Sequence, residues 1–542
     1  MTFVQSKTGE PEASWSDVLR RVLVLLIFCV LAGPRTAASD PIGLDQVCPD
    51  DDPEVSLTRH LRELSLDLRG TVPTVEEYED AIAQGEVPES LIDEWLASQE
   101  FVDRTVRRHR ALLWNNVTNI DLFNNSVVLS GNGNNTPYWR RNPAVFSRGE
   151  RVPCLDEPAQ WDDEGRIVTT LQDDGTRLEG WVDVAPYWAP ETTVRVCAFD
   201  AQETQVSASG TQCATSDGFG DPGCGCGPNL AWCRGNAMTV RPLMEAMGRD
   251  VELRIADILA EDGSYLDLFT GRVAYVNGPL THFWKHQLNV PAGIRMTPSP
   301  IPVEQLPDLE FTDVDTWVPI QLGQEHAGIL TSPAYLLRFQ TRRSRANRFF
   351  TAFMCQPFQP PDSGLEASDD ESSYSLDLQQ RDGCKYCHAL LEPSAAYWGR
   401  WPETGAGYLN PEEFPGLRED CHRCATSSLS CSDACNTYYL TSTLTPEQTP
   451  YLGMLQAFEF RREDHVPNIE AGPKALALSV AVDGRLPECV SRTAVSWLLG
   501  RDVLPEEEPW IDELNRLFVA SDFSYRTLIK RIVESPVYRT VQ

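Results

Sequence analysis

Positive charge is scarce in this chain. Against 79 Asp and Glu stand 46 Lys and Arg, for a net charge of −33. That balance argues against nucleic acid or an anionic membrane surface as the partner, because both need a surplus of cations. Long apolar runs are missing as well. The longest, residues 22–32, covers about 11 positions, whereas a membrane-spanning helix needs about 20. The eight histidines form no H-E-x-x-H pair. No phosphate-cradling glycine loop and no Ser-His-Asp signature is legible, so nothing points to a metalloprotease, a nucleotide enzyme or a serine hydrolase. What the chain does have is a 42% hydrophobic content, 14 Trp and 16 Cys in 542 residues, enough for a folded protein of several structural units.

The start reads as an export signal. Arg20 and Arg21 precede the apolar run Val22–Ala32, and Thr36-Ala37-Ala38-Ser39 offers small residues for cleavage near Ala38. Residues 1–38 are therefore expected to be removed, and the mature chain to lie in the periplasm or cell envelope without a transmembrane span. In an oxidising compartment cysteines are read first as disulfides. Cys29 leaves with the signal and two cysteines belong to the motif below, so an odd number remains. Cys355, which follows the apolar run 349–354, is the expected free thiol.

The chain is organised around Cys384-Lys385-Tyr386-Cys387-His388. This is C-x-x-C-H, the attachment sequence for a c-type haem. Two thiols three positions apart can add to the two haem vinyl groups, and the imidazole that follows reaches the iron as proximal ligand. The competing reading is a disulfide or zinc pair with an unrelated histidine beside it. One covalent haem c is thus expected on Cys384, Cys387 and His388, with iron ligation by His388. The sixth ligand decides the chemistry. Met454, among Leu452, Leu455 and Phe458, leads Met354, His465, His422 and His326 as candidate.

Around the motif, local patterns sketch a mainly α fold. Leu57, Leu61, Leu64 and Leu68 recur at helical spacing, Thr74 with Glu77 makes a capping box, and helices are predicted over 89–97 and 102–114. This N-terminal helical domain spans 57–116. A cysteine-rich β or irregular insertion follows at 117–238, with strands predicted at 180–184 and 192–199. Cys224, Cys226 and Cys233 could form a metal knuckle, but disulfides are the expectation there. A helical domain covers 240–361. In it His282 and His286 share a helix face and are read as structural. The haem-binding segment with its Cys-rich loop covers 362–440, and a C-terminal helical domain covers 441–542. The pairs Cys421/Cys424 and Cys431/Cys435 have zinc spacing, with disulfides again preferred.

Several segments resemble a planctomycete-type cytochrome c-like family. They are Leu64-Ser65-Leu66-Asp67-Leu68-Arg69-Gly70-Thr71-Val72-Pro73-Thr74, Trp95-Leu96-Ala97-Ser98, Gly328-Ile329-Leu330-Thr331-Ser332-Pro333-Ala334, the Arg-bearing helix 341–350 with its proline-rich turn, and Trp497-Leu498-Leu499-Gly500-Arg501. Glu392-Pro393 stands where that family has Asp-Pro after the haem motif. The resemblance implies an exported protein with one haem but no particular substrate. Arg342, Arg343, Arg345 and Arg348 are read either as partners of the haem propionates or as a solvated basic face. Tyr397, Trp398 and Trp401 could pack against the haem. The functional expectation is electron transfer to an unidentified redox partner protein. The alternatives are a peroxidase- or oxidase-like haem enzyme, and an envelope binding protein whose motif is accessory or empty.

Overall fold

The computed structural model describes residues 55–539 apart from 119–120, 124–126, 132–136, 141–152, 236, 291–293, 359–376, 445, 458–461 and 464. The expected signal sequence with Cys29, Cys48, and residues 359–376 ahead of the motif lie outside the described residues. Ser56–Arg539 forms one compact unit. About 48% of the described residues are helical, with few short strands and no barrel among them, so the mainly α expectation holds.

Four helices open the unit: α1 (Leu57–Leu68), α2 (Val75–Gln84), α3 (Glu89–Leu96) and α4 (Gln99–Leu113). In α1, Leu61, Leu64 and Leu68 are fully buried, as their spacing requires. The Thr74–Glu77 capping box forms, and Glu77 also takes the Arg69 guanidinium at 2.9 Å. These helices pack against the far end of the unit. The Tyr538 hydroxyl donates to Asp67 at 2.8 Å, and Lys530 pairs with Glu89 and Asp93. Asp67 therefore has a structural partner, and the two ends of the unit share one hydrophobic core.

Between them, the segment after α4 folds into short antiparallel pairs: β1 (Leu129–Ser130) with β2 (Trp139–Arg140), β3 (Thr170–Leu171) with β4 (Arg177–Leu178), and β5 (Trp181–Val184) with β6 (Val194–Cys197). Pairs this short are marginal alone. Three disulfides cross-link the segment: Cys154–Cys197, Cys213–Cys224 and Cys226–Cys233. A fully buried Arg140–Asp200 ion pair at 2.8 Å joins β2 to the turn after β6, with Arg140 also donating to the Cys224 carbonyl. The cysteines are thus disulfides rather than a metal knuckle.

Helices then return: α5 (Ala237–Ala260) and α6 (Asp267–Thr270), followed by β7 (Val273–Val276), α7 (Gly278–His282) and β8 (Val318–Gln321), which pairs with β7. His282 stacks on Tyr187 at 3.8 Å and its Nε2 meets the Ala231 carbonyl at 3.1 Å. It is a structural histidine, as expected.

The region that positions the motif consists of α8 (Pro333–Arg338), α9 (Arg342–Phe353), α10 (Lys385–Ala395), α11 (Glu419–Ala425), α12 (Asp433–Tyr438), α13 (His465–Val482) and α14 (Arg485–Leu499). The unit closes with α15 (Glu508–Ala520), α16 (Tyr525–Val533) and α17 (Pro536–Arg539). Helix α10 packs against α9 and α13. Cys355, at the end of α9, is disulfide-bonded to Cys489 in α14. The free-thiol expectation for Cys355 is therefore corrected: the twelve described cysteines outside the motif form six disulfides.

Candidate haem-attachment site

Gly383, with φ +75°, turns the chain into α10. A left-handed residue costs glycine little and any other residue more. Cys384 takes the N-cap position with helical backbone angles (φ −86°, ψ −33°), and the His388 amide bonds to its carbonyl at 3.0 Å. The whole motif therefore lies on the first turns of one helix. At 3.6 residues per turn, Cys384, Cys387, His388 and Leu391 fall on one face.

Cys384 and Cys387 are the only described cysteines outside disulfides, and both are half-buried. The reading of the pair as a disulfide with an unrelated histidine is not the arrangement found. His388 Nδ1 lies 2.6 Å from Glu392 Oε1, four residues on in the same helix. A carboxylate there accepts the Nδ1 proton, and in the neutral ring that leaves the lone pair on Nε2. The same Oε1 accepts from Arg343 Nε of α9, also at 2.6 Å. Glu392 is 5% exposed, His388 20% and Arg343 40%, so the carboxylate sits at the bottom of the cluster. These residues fit a covalent haem: two thiols three positions apart outside the disulfide network, and an imidazole whose Nδ1 is held by Glu392, leaving Nε2 for iron. Cys384 and Cys387 would hold the porphyrin edge and His388 the metal.

The other arginines of α9 are committed elsewhere. Thr341 and Ser344 form the capping box that starts the helix. Arg345 is fully buried and reaches five backbone carbonyls, those of Leu336, Phe339, Trp401, Pro402 and Gly405. Arg342 is buried and donates to the Trp398 carbonyl. Arg348 lies 4.2 Å over the Trp114 ring and bonds to the Leu112 carbonyl. Neither reading of this helix as a set holds: it is not a solvated basic face, and only Arg343 sits beside the motif. Trp398 and Trp401 are likewise core residues. Trp398 donates to the Leu330 carbonyl, and Trp401 packs edge-on to His326.

The five sixth-ligand candidates are scattered. Both ring nitrogens of His326 are engaged, by Thr331 and by the Pro300 carbonyl, and burial holds its pKa down to about 4. His422 Nδ1 meets the Leu452 carbonyl at 2.8 Å. Met454 pairs by its backbone with Leu417 and Leu440, beside a small core of Cys421, Cys424, Cys435 and Tyr439. Met354 caps α9 and buried His465 opens α13, the two helices packed on α10. Asn468, also in α13, donates its side-chain amide to the Pro393 carbonyl of α10 at 3.0 Å and so ties the two helices together.

Cys421–Cys435 and Cys424–Cys431 are disulfides. Asp420, Cys421 and Cys435 lie close enough to share an ion, but a sulfur in a disulfide is no thiolate ligand. A cavity of about 1060 Å³ lies apart from the motif, between the end of α4, α5 and Trp317. Among the described residues no helix is long and apolar enough to cross a membrane.

What sequence reasoning missed at this site is the role of Glu392 as the partner of His388. Its spacing of four from His388 was the available signal. No protein-family model, curated protein or solved structure matches this chain, so the family resemblance stands on its sequence segments alone.

Proposed function

We propose that this chain is an exported c-type cytochrome that binds one haem through Cys384, Cys387 and His388 and passes electrons to a partner protein. One observation carries the reading. The two motif thiols stand outside a disulfide network that takes every other described cysteine, on the same helical face as an imidazole whose Nδ1 is bonded to Glu392. Bound there, the haem would supply reversible one-electron chemistry. The chain's part is to present both thiols on the first turn of α10, to orient the His388 ring through Glu392, and to hold α10 in place through α9 and α13. Six disulfides and the lack of a membrane-crossing helix among the described residues agree with an exported location.

The test is expression of the full chain with a haem-attachment system, followed by spectra of the oxidised and dithionite-reduced protein. A sharp reduced α-band in the folded protein, with haem staying on the denatured chain, supports the reading. A folded product without haem removes it and leaves an envelope binding protein. A high-spin spectrum shifted by carbon monoxide would instead favour the haem-enzyme reading.

A further inference from the structure

We propose that Glu392 and Arg343 together set the strength of the hydrogen bond at His388 Nδ1, and through it the reduction potential of the haem; this rests on the reading just given. The geometry is that of a three-member relay on one oxygen. Glu392 Oε1 takes both the Nδ1 proton of His388 and Nε of Arg343, each at 2.6 Å. A hydrogen bond from an imidazole to a carboxylate pulls the proton away from the ring. It raises electron density on the opposite nitrogen, the one left for iron. A more electron-rich proximal ligand favours ferric over ferrous iron, so Glu392 lowers the potential. With Glu392 only 5% exposed, solvent screens this pull weakly.

Arg343 acts in the opposite sense. Its guanidinium shares the acceptor oxygen and draws the carboxylate's charge toward itself, so it limits the pull on His388. The two residues therefore have opposing effects on one property, although both belong to the same ion pair. Neither depends on which residue is the sixth ligand. Arg343 is well placed for this because α9 is fixed independently, by the Thr341–Ser344 capping box and by the five carbonyls around Arg345.

The experiment is a spectroelectrochemical titration of the haem-loaded full chain and of Glu392→Gln, Arg343→Gln and Arg343→Lys, with haem content and far-UV circular dichroism measured on each. Gln at 392 still accepts the Nδ1 proton but without charge, so its potential should rise. Gln at 343 should lower the potential, and Lys at 343 should stay nearer the wild type. Through-space charge alone would also give opposite signs, so the His388 Nδ1–H resonance of the reduced protein is followed by NMR as well: it should move upfield in Glu392→Gln, and an unmoved resonance would overturn the proposal. Unmoved potentials, or shifts of the same sign in Glu392→Gln and Arg343→Gln, would overturn the proposal while the haem reading stands. Wild type without haem overturns both. If Glu392→Gln does not fold, the half-exposed Arg343 pair still decides by the sign of its shift.

Discussion

Cys355 at the end of α9 is joined to Cys489 in α14 across 134 residues of sequence, with their Cα atoms 5.3 Å apart. The bond ties the helix that carries Arg343 to the C-terminal helices. Closing so long a loop removes much freedom from the unfolded chain. The double variant Cys355→Ser/Cys489→Ser is expected to lose about 2–5 kcal/mol of stability, read by denaturant unfolding. An unchanged midpoint would show that α9 and α14 hold together without it.

Arg345 gives a second stability prediction. It is fully buried, and its guanidinium satisfies carbonyls from two separate stretches, 336–339 and 401–405. Arg345→Met should cost about 3 kcal/mol or more, because it leaves several buried acceptors unpaired. Arg345→Lys should rescue little, since one ammonium cannot reach the same fork of acceptors. Full rescue by lysine would contradict the account.

The buried histidines predict the response to acid. Burial holds His60, His109 and His326 down to about 4 and His282 to about 3, against about 6.5 in an unfolded chain. Between these values the unfolded state binds protons that the folded state refuses. Stability should therefore fall as pH drops from about 6.5 toward 4, and be fully present above that window. In denaturant titrations at several pH values, His326→Gln should flatten part of this slope. An equal slope in the variant would mean that His326 carries none of it.

The Cys-rich loop separates disulfide from zinc by chemistry. With Cys421–Cys435 and Cys424–Cys431 bonded, a chelator such as EDTA should leave the melting temperature unchanged, while a thiol reductant should lower it. Loss of stability with EDTA alone would restore the zinc reading.

Local patterns were the legible part of this fold. The leucines of α1, the Thr74–Glu77 box and the strand alternation of β5 and β6 each depend on neighbours a few residues away. So does the motif, whose spacing already places its cysteines and histidine on one helical face. What could not be read depends on distant partners. Arg342 and Arg345 look like a solvated stripe until the 398–405 turn supplies carbonyls more than 50 residues later. Cys355 looks unpaired from its own neighbourhood because its partner lies in another helix, 134 residues on. Glu392 is visible as a neighbour of the motif, yet its role needs Arg343 from α9 to complete it.

The central claim is covalent attachment at the motif, and the most direct measurement is the intact mass of the denatured protein after expression with a haem-attachment system. The account predicts wild type heavier by one haem, with Cys384→Ala/Cys387→Ala at the bare polypeptide mass. A folded wild-type chain at the bare mass, with both motif thiols open to alkylation, would contradict it.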